Sequence, residues 1–579
     1  MHLESNPSEF FLTISIFIQE NALYKAIVMN KFDLIADQAA MPIRINSLPE
    51  LCYSERLNST SKIFDGIIEN GWFDRAAYYC NDQILTYAGL ISGTKQIAGA
   101  LQSIGVGPED RVIMRMGDTP EFVMTLLAII GLGAIAVPTF IQLKADELSY
   151  RIKDSGSRFI VVDAVLLNEV EKVQQGETVL EQVIVANNYR GDEYISLEDL
   201  AENAPAFENW ANVKCDDICL LLYTSGTSGR PKGAVQCHRD LMSVGDTLGR
   251  YMLDVCDEDI FAGPVPLPFA IGTVFFVFCS LRFGAAVVLC PEKSAQAFVN
   301  VFKNLKPTIF ISVPTFYHRL LDLYRRGTKI QLQSVRTLLC AGEPLNPELE
   351  LSWKKETGLP MSQLIGTTEM FNAFVGFRPG IDEILSETLG KPCAGYEITV
   401  RDPETFEEVA TGEHGLMCVR GPSTTVYWSP REVQSEAVRD GWTIVQDLIW
   451  KDDDGFVHFV SRYDEMIITA GINVAPIDVE RILASHEAVA ECACIGAPDN
   501  SGERSEIVKA FVILAEGYTA SDALSLEMQK YFKDNGPPSM YPREIEFVPA
   551  LPRSLAGKIL RSVLKKEEIE KRVGSPKVI

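Results

Sequence analysis

The sequence LLYTSGTSGRPKGAV, residues 221 to 235, begins as an apolar run typical of a strand and continues as a loop of hydroxyl residues and glycines. Glycines let such a loop turn tightly and bring backbone N–H groups close to an anion, while hydroxyls donate hydrogen bonds and a lysine adds a cation. The residues that supply these groups are Thr224, Ser225, Gly226, Thr227, Ser228, Gly229 and Lys232. The spacing differs from the G-x-x-x-x-G-K-[ST] loop of nucleotide triphosphatases. On composition alone, a surface loop without a ligand is the alternative to a phosphate-binding loop.

Ten consecutive residues of this loop, TSGTSGRPKG, resemble the phosphate loop of the adenylate-forming superfamily. That superfamily contains acyl- and aryl-CoA synthetases, adenylation domains of peptide synthetases, and luciferases. The resemblance extends from about Leu48 onward, because further family motifs follow in the expected order. These are AGEPL (341–345), IGTTEM (365–370), Asp447 after the Gly441-Trp442 pair, SRYDEMIITAG (461–471) and PRSLAGK (552–558).

The resemblance implies a site for ATP, Mg²⁺ and coenzyme A, with roles for individual residues. The catalytic residues it implies are Lys558, Glu369 and Thr224, with Lys558 bound to the substrate carboxylate and the α-phosphate and Glu369 to Mg²⁺. The nucleotide would further contact Gly342, Glu343 and Pro344 at adenine, Gly366, Thr367 and Thr368 near the α-phosphate, Asp447 at the ribose, and Arg462 at ribose or phosphate oxygens. Asp464 would be the hinge, and Gly471 would line the thiol tunnel.

The chemistry requires such a cluster of charges. A carboxylate resists nucleophilic attack, and conversion to an acyl-adenylate gives it a good leaving group. Because that step brings two anions together, the site must neutralise developing charge with cations and metal. In the resembling family a C-terminal domain then rotates about the hinge for attack by a thiol. The chain ends soon after the lysine motif without a carrier domain, so free CoA is the expected acceptor.

The substrate class follows from a closer resemblance. LPELCYSERLN (48–58), TEMFNAF (368–374) and DEMIITAGINVAP (464–476) resemble benzoate- and 2-aminobenzoate-CoA ligases. The pocket residues this implies are Phe269, Ala270, Gly272, Ala341, Gly366, Phe371 and Asn372, small or aromatic side chains that suit a flat ring; ordinary core packing is the alternative for the aromatic ones. The chain departs from that branch at Asn372, where histidine is usual, at Gln446, where glycine is usual, and at Ser461, where glycine is also usual.

The order of apolar runs predicts the fold class. Strand-like runs at 111–115, 134–137, 159–162, 182–185 and 308–311 alternate with helical segments such as 145–154, which indicates an α/β architecture. From Gly395 the pattern changes to short alternating strands and turns, which the resemblance identifies as a small β-barrel. We therefore predict a large N-terminal domain of two α/β subdomains plus this barrel, followed by a smaller, mobile α/β C-terminal domain. The predicted boundaries are 1–46 for an N-terminal extension without an assigned role, 47–462 and 463–579.

Composition limits the partners and the compartment. A length of 579 residues calls for at least two domains, and a net charge of −25 argues against nucleic acid as the main partner. Thirteen cysteines without C-x-x-C spacing favour a reducing cytoplasm. The apolar run at 10–18 is too short to span a bilayer, and glycines and a proline interrupt the run at 122–140, which we interpret as a buried helix and core strand. We expect no membrane segment. The expected partners are a small carboxylic acid, ATP and CoA, and a homodimer is a possible oligomeric state.

Alternatives also remain for the roles of two histidines and for the function of the whole protein. His238 follows the phosphate loop and is either a packed core residue or part of the site, whereas His458 in a hairpin strand is interpreted as structural. The enzyme alternative is an adenylase that loads a separate carrier protein. The non-enzyme alternative is a nucleotide-binding protein with weakened turnover, motivated by Gln446 and Ser461.

Overall fold

The computed structural model describes residues 40–205, 207–224, 231–343, 345, 347–385, 388–428, 431–469, 472–499, 506–537, 540–554 and 557–573. The expected residues Ser225, Gly226, Thr227, Ser228, Gly229, Pro344 and Gly471, and most of the N-terminal extension, lie outside these ranges. Residues 40–46 of the extension are held by backbone hydrogen bonds, because the Ile43 N–H donates to the Gly441 carbonyl at 2.9 Å and the Ile45 N–H to the Gly421 carbonyl at 2.9 Å.

A seven-stranded sheet forms the first α/β layer. Its strands are β3 (Arg111–Arg115), β4 (Ile135–Pro138), β5 (Phe159–Asp163), β6 (Gln182–Ala186), β7 (Ile195–Ser196), β8 (Ile218–Thr224) and β9 (Lys232–Cys237). Their order is β7-β6-β5-β3-β4-β8-β9, and all neighbours are parallel except the antiparallel β8–β9 hairpin. The strands predicted at 111–115, 134–137, 159–162 and 182–185 are confirmed here.

A nine-stranded sheet forms the second layer. Its strands are β1 (Ala76–Cys80), β2 (Gln83–Thr86), β10 (Ile260–Ala262), β11 (Ala286–Leu289), β12 (Ile309–Ser312), β13 (Thr337–Ala341), β14 (Met361–Thr367), β15 (Asn372–Gly376) and β16 (Lys391–Pro392). The order is β16-β15-β14-β13-β12-β10-β11-β1-β2, with a parallel centre and antiparallel edges. β13 and β14 therefore end side by side, and such carboxyl ends are where open α/β sheets bind ligands.

Helices cover both sheets and join them through one core. They are α1 (Ser59–Asn70), α2 (Tyr87–Ser103), α3 (Pro120–Gly131), α4 (Ala145–Ser155), α5 (Leu167–Gln174), α6 (Leu197–Asn203), α7 (His238–Val244), α8 (Ala270–Thr273), α9 (Ala295–Asn304), α10 (Pro314–Arg325) and α11 (Pro347–Thr357). The run at 122–140 is the buried helix α3 followed by β4, as predicted. Met114 of one sheet and Ile309 of the other share a buried cluster with Phe122 and Leu126 of α3, so the two sheets are packed against a common core.

The segment expected as a small barrel is a five-stranded antiparallel sheet with a short helix. It contains β17 (Glu397–Arg401), β18 (Gly415–Arg420), β19 (Val438–Arg439), β20 (Trp442–Lys451), β21 (Val457–Arg462) and α12 (Arg431–Ala437). β20 and β21 form a hairpin in which Asp447 and Arg462 are direct partners. The register places two expected nucleotide residues side by side.

The chain after Arg462 forms a separate group of elements. A 3-10 turn (Tyr463–Glu465) leads to the hairpin β22 (Ile467–Thr469) and β23 (Ile472–Val474), then to helix α13 (Pro476–Ala484). A three-stranded sheet of β24 (Val489–Pro498), β25 (Glu506–Leu514) and β26 (Glu544–Phe547) follows, with helices α14 (Asp522–Asn535) and α15 (Arg561–Val573). Val479 of α13 and Phe532 of α14 are completely buried in the core of this group.

Candidate active site

The phosphate loop connects the two strands of an antiparallel hairpin. Thr224 at the end of β8 pairs with Lys232 at the start of β9, and the description of the chain stops after Thr224 and resumes at Pro231. The Tyr150 hydroxyl donates a hydrogen bond to the Pro231 carbonyl at 3.0 Å. The hairpin therefore brings the expected hydroxyl of Thr224 and the expected cation of Lys232 to the same end of the sheet.

Glu369 lies at this end of the hairpin and accepts hydrogen bonds from two hydroxyls. The Tyr427 hydroxyl donates to Glu369 Oε1 at 2.9 Å, and the Thr224 hydroxyl donates to the same oxygen at 3.5 Å. The Lys232 ammonium lies 5.9 Å from the centre of the Tyr427 ring, within the range of a cation–π interaction. Burial and the neighbouring Glu369 raise the pKa of Tyr427, which keeps its hydroxyl a neutral donor. The sequence analysis did not identify Tyr427.

Gln236, which the sequence analysis also did not identify, fixes the backbone of the IGTTEM motif. Gln236 is fully buried on β9, and its side-chain amide donates to the carbonyls of Glu369 at 2.8 Å and Thr368 at 3.3 Å. The Thr367 hydroxyl accepts from the Met370 N–H at 3.1 Å. The motif is thus held by hydrogen bonds from the side chain of Gln236 and by a hydrogen bond between two of its own residues.

Gly366 precedes this motif at a point where two strands nearly touch. A β-carbon there would lie 2.3 Å from the carbonyl oxygen of Asn372 and 2.9 Å from the Cα of Ala373. Real β-carbons do not approach backbone atoms so closely, so β14 and β15 could not pair in this way with a larger residue. The glycine is needed for the backbone path of the site.

Asp447, Arg462 and Asp464 form an ion-pair chain at the end of the β20–β21 hairpin. Arg462 donates from Nη1 to Asp447 at 3.2 Å and from Nε to Asp464 at 3.0 Å. Burial raises the pKa of Asp447, and the charges of Arg462 and Lys558 oppose that rise. The structure therefore brings together the residues expected at the ribose and at the hinge.

Lys558 extends from the C-terminal group of elements to the AGEPL motif. Its Cε lies 3.9 Å from the position of a β-carbon at Gly342, a residue with φ of +91° at the end of β13. Burial raises the pKa of the adjacent Glu343, whose charge is favoured by Arg553, Lys558 and Arg561. Lys558, the expected catalytic lysine, therefore lies close to Gly342 and Glu343 of the AGEPL motif and its charge also acts on Asp447, the residue expected at the ribose.

The expected acid pocket adjoins the lysine. Ile271 Cδ1 lies 3.6 Å from the same β-carbon position at Gly342, which brings α8 with Ala270 and Gly272 to the end of β13 at Ala341. A β-carbon at Gly272 would lie 2.0 Å from the Pro266 carbonyl oxygen, so this turn excludes any side chain.

Two aromatic side chains complete the expected pocket, and each has an aromatic partner. Phe269 is stacked on Phe140, with ring centres 4.0 Å apart and planes at 24°. Phe371 is completely buried and meets Phe278 edge-on at 5.9 Å. Phe269 and Phe140 are both partly exposed, whereas Phe371 belongs to the core.

Phe140 is a pocket neighbour that the sequence analysis missed. Its loop is fixed by Arg115, a buried residue that donates to the carbonyls of Phe140 at 3.1 Å, Ile141 at 2.8 Å and Leu143 at 3.0 Å. These bonds fix the loop whose Phe140 ring stacks on Phe269 of the expected pocket. No local pattern in the sequence indicates the contact, because Phe140 and Phe269 lie in different layers.

Asn372 is buried with its amide already bonded inside the protein. Its Nδ2 donates to the Thr247 hydroxyl at 3.0 Å, and its Oδ1 accepts from the Ala373 N–H at 2.9 Å. Thr247 lies in a π-helical segment, Gly245–Met252, that the sequence analysis did not single out. The polar atoms of Asn372 are therefore directed at protein partners.

The two histidines are part of the packing. His238 Nδ1 accepts from the Ser59 N–H at 3.2 Å, and burial lowers the pKa of His238 to about 3. This supports the core interpretation of His238. His458 bonds to Asp452 at 3.0 Å and stacks on Trp450 at 3.8 Å, in agreement with a structural role.

The described residues contain neither a membrane-spanning helix nor a metal-binding cluster of protein side chains. None of their helices is both long and apolar enough to cross a membrane. In the same part of the chain, no group of three or more His, Cys, Asp or Glu side chains has an arrangement suited to a metal ion.

Comparison with known proteins identifies the family. The model for AMP-binding enzyme matches residues 69–428, and that for AMP-binding enzyme C-terminal domain matches residues 478–558. The benzoate–CoA ligase of Thauera aromatica is 32% identical over 90% of this chain and 98% of its own. The crystal structure of the anthranilate CoA ligase AuaEII in complex with anthranoyl-AMP matches with a TM-score of 0.82 at 30% identity, over 90% of this chain and 99% of that one. A benzoate CoA ligase from Burkholderia xenovorans LB400 matches with a TM-score of 0.78 at 28% identity, over 88% and 100% of the two chains. The chain belongs to the AMP-binding enzyme family and carries both its main and its C-terminal domain.

Proposed function

We propose that this protein is an ATP-dependent, AMP-forming acid–thiol ligase that acts on an aromatic carboxylic acid. It converts the acid to an acyl-adenylate with release of pyrophosphate, and then to an acyl-CoA thioester with release of AMP. The observation that carries this proposal is the position of Lys558, beside Gly342 and near both Asp447 and the acid pocket at Ile271. Similarity to a benzoate–CoA ligase and to an anthranilate CoA ligase supports the aromatic substrate.

In the first step, a carboxylate oxygen attacks the α-phosphorus and the bond to pyrophosphate breaks. The Lys558 ammonium contacts both the attacking carboxylate and the α-phosphate, and so reduces their repulsion in the transition state. Thr224, Lys232 and Thr368 bind phosphate oxygens, and Asp447 accepts from the ribose hydroxyls. Arg462 donates to the ribose or phosphate, and its charge opposes the rise that burial causes in the pKa of Asp447.

Glu369 fits a magnesium ion that takes most of its ligands from phosphates. A single carboxylate, with two hydroxyls around one of its oxygens, suits Mg²⁺, which is usually held by one or two carboxylates plus phosphates and water. When bound, the ion supplies positive charge to the phosphates. Tyr427 orients the carboxylate that holds it.

The acid pocket selects a flat ring. Phe269 and Phe140 form a stacked wall beside small residues at Ala270 and Ala341. A planar aromatic acid fits against such a wall, and a flexible chain loses more conformational freedom on entering it. Asn372 is proposed as a further pocket residue, although its amide is bonded to Thr247 and Ala373.

In the second step, the CoA thiol sulfur attacks the acyl carbonyl carbon and AMP leaves. Asp464 is the hinge about which the C-terminal domain rotates, and Gly471 lines the thiol tunnel in the rotated state. We assign the C-terminal domain to residues 463–579 and the main domain to residues 47–462.

The cysteines support the cytoplasm as the compartment of this protein. All thirteen are free thiols, as expected in a reducing environment.

A panel of acids tests the proposal. Pyrophosphate release would be measured with ATP, Mg²⁺ and benzoate, 2-aminobenzoate, hydroxybenzoates or octanoate, and thioester formation with CoA would follow on the active acids. We expect benzoate or a substituted benzoate to give the highest kcat/KM. Absence of pyrophosphate release with every acid would contradict ligase activity, and an adenylate that never reaches CoA would indicate a carrier protein as acceptor.

A further inference from the structure

Arg561 is the first residue of α15 and follows Lys558 by three positions. It donates to Glu480 through Nε at 3.1 Å and through Nη2 at 2.7 Å and 3.0 Å, and through Nη1 to Glu465 at 3.2 Å. Only 20% of its side chain is exposed. Partly buried guanidinium–carboxylate pairs of this kind hold a fixed geometry better than exposed pairs do.

Glu465 connects this ion pair to the hinge. It ends the 3-10 turn Tyr463–Glu465 and directly follows Asp464, which pairs with Arg462. Arg462 in turn pairs with Asp447. Two ion-pair groups, one at the ribose carboxylate and one at Arg561, therefore begin on adjacent residues of the hinge.

Hydrogen bonds join the described residues of the lysine loop, 552–554 and 557–558. The Ser554 N–H donates to the Lys558 carbonyl at 2.7 Å, the Ser554 hydroxyl accepts from the Lys558 N–H at 3.1 Å, and the Gly557 N–H donates to the Ser554 carbonyl at 2.9 Å. Arg553 bonds to the Gly557 carbonyl at 2.6 Å and pairs with Glu491 of β24. These bonds fix the backbone of Gly557 and Lys558 relative to Arg553 and Ser554, so the contacts that anchor this segment also fix the position of the Lys558 backbone.

Glu480 holds Arg561 to the C-terminal core independently of the hinge. One of its oxygens also accepts from the Cys494 N–H at 2.7 Å, which joins α13, β24 and α15. Burial raises the pKa of Glu465, and the charge of Arg561 opposes that rise. Neutralising Glu465 would therefore remove its charge attraction to Arg561 and weaken the link to the hinge, while leaving the Glu480 pair in place.

We propose that Arg561 is a positioning residue for Lys558, and that its ion pair with Glu465 ties the lysine loop to the hinge segment. In the hinge conformation seen here, the pair holds Lys558 beside Gly342. This inference rests on the proposed function, because it assigns Lys558 to the adenylation step. It adds a residue that acts through the lysine and contacts no substrate.

Glu465→Gln tests the link. The variant keeps the shape of the side chain and all contacts between Arg561 and Glu480. We expect kcat for adenylation, measured by pyrophosphate exchange with benzoate or the most active acid, to fall on the order of tenfold, which is typical of a broken coupled pair. Thioester formation from supplied acyl-adenylate and CoA should change less than about twofold, because Lys558 takes no part in that step. KM for ATP should also change less than about twofold, because Thr224, Lys232 and Thr368 still bind the phosphates.

Lys571→Gln is the matched control. Lys571 lies on the same helix and pairs with Glu546 at 3.0 Å, but it is 62% exposed, and we expect all three quantities to stay within about twofold of the parent protein. Equal losses in both half-reactions of Glu465→Gln, or no loss in adenylation, would overturn the inference. If the parent protein released no pyrophosphate with any acid, the proposed function itself would fail, so the two failures are distinguishable.

Discussion

The Cε of Lys558 lies 3.9 Å from the point where a side chain at Gly342 would begin. The glycine directly follows strand β13 of the nine-stranded sheet, whereas the lysine belongs to the C-terminal group of elements. The contact joins the C-terminal elements to the nine-stranded sheet at the proposed site of adenylation. The missing side chain at Gly342 leaves space for the lysine next to the acid pocket.

Gly342→Val should obstruct that space. The added methyl groups would crowd Ile271, Val313 and Lys558, and we expect adenylation to fall at least about tenfold. Gly358→Val is the control, because Gly358 also has a positive φ, +78°, but no atom lies within 4 Å of its β-carbon position. Both variants should lose about 1–3 kcal/mol of unfolding free energy from backbone strain. Equal adenylation rates in the two variants would show that the space at Gly342 is unimportant.

Lys558→Ala should abolish the first half-reaction and spare the second. Loss of one charge that stabilises a transition state costs on the order of 10²–10³-fold in rate. Pyrophosphate exchange measures adenylation, and supplied acyl-adenylate with CoA measures thioester formation. Equal damage to both steps would remove Lys558 from the proposed role.

Tyr427→Phe should weaken the site for magnesium-bound ATP. The variant keeps the ring near Lys232 but loses the hydroxyl that orients Glu369. One such hydrogen bond contributes about 1 kcal/mol, so the apparent KM for magnesium–ATP should rise roughly fivefold. Tyr87→Phe is the control, since its hydroxyl donates to the Ala285 carbonyl at 2.9 Å within the core. A change in KM of the same size in both variants would contradict the assignment.

Phe140→Leu should reduce the preference for aromatic acids. Leucine keeps the apolar bulk but cannot stack on Phe269, and aromatic pairs contribute about 0.5–1.5 kcal/mol. We expect the ratio of kcat/KM for benzoate over octanoate to fall roughly two- to tenfold. Phe316→Leu removes an edge-on contact with Phe298 in a separate core cluster and should leave the ratio unchanged. An unchanged ratio in Phe140→Leu would exclude the stacked wall from substrate choice.

His238 should make the protein less stable in mild acid. Its pKa is about 3 in the folded state and about 6.5 when exposed, so between these values the unfolded chain binds more protons. The contribution of the neutral, buried imidazole to the free energy of unfolding is fully present above a pH of about 6.5 and is lost progressively as the pH falls towards about 3. At a pH of about 5 the loss amounts to about 2 kcal/mol. Urea unfolding of the parent protein and of His238→Gln at both ends of this pH range would measure this loss of unfolding free energy. If stability changed with pH equally in the two proteins, His238 would not be its cause.

The sequence alone determined the α/β class, the antiparallel segment after Gly395 and the motifs that mark the family. These features depend on spacing within a few residues: apolar periodicity decides strand or helix, and the glycine pattern of 226–233 predicts a tight polar loop. The helix and strand predicted from the run at 122–140 are α3 and β4 for the same reason. Chemistry carried by short motifs can be recognised before the chain is folded.

Only the tertiary structure decided which side chains support those motifs. Tyr427 bonds to Glu369, Phe140 stacks on Phe269, Thr247 bonds to Asn372, and Arg561 joins Glu465 to Glu480. In each case the partners are distant in the sequence and lie on different elements, so no local periodicity or spacing relates them. Such contacts depend on how sheets, helices and the C-terminal elements pack, and packing is a property of the whole folded chain.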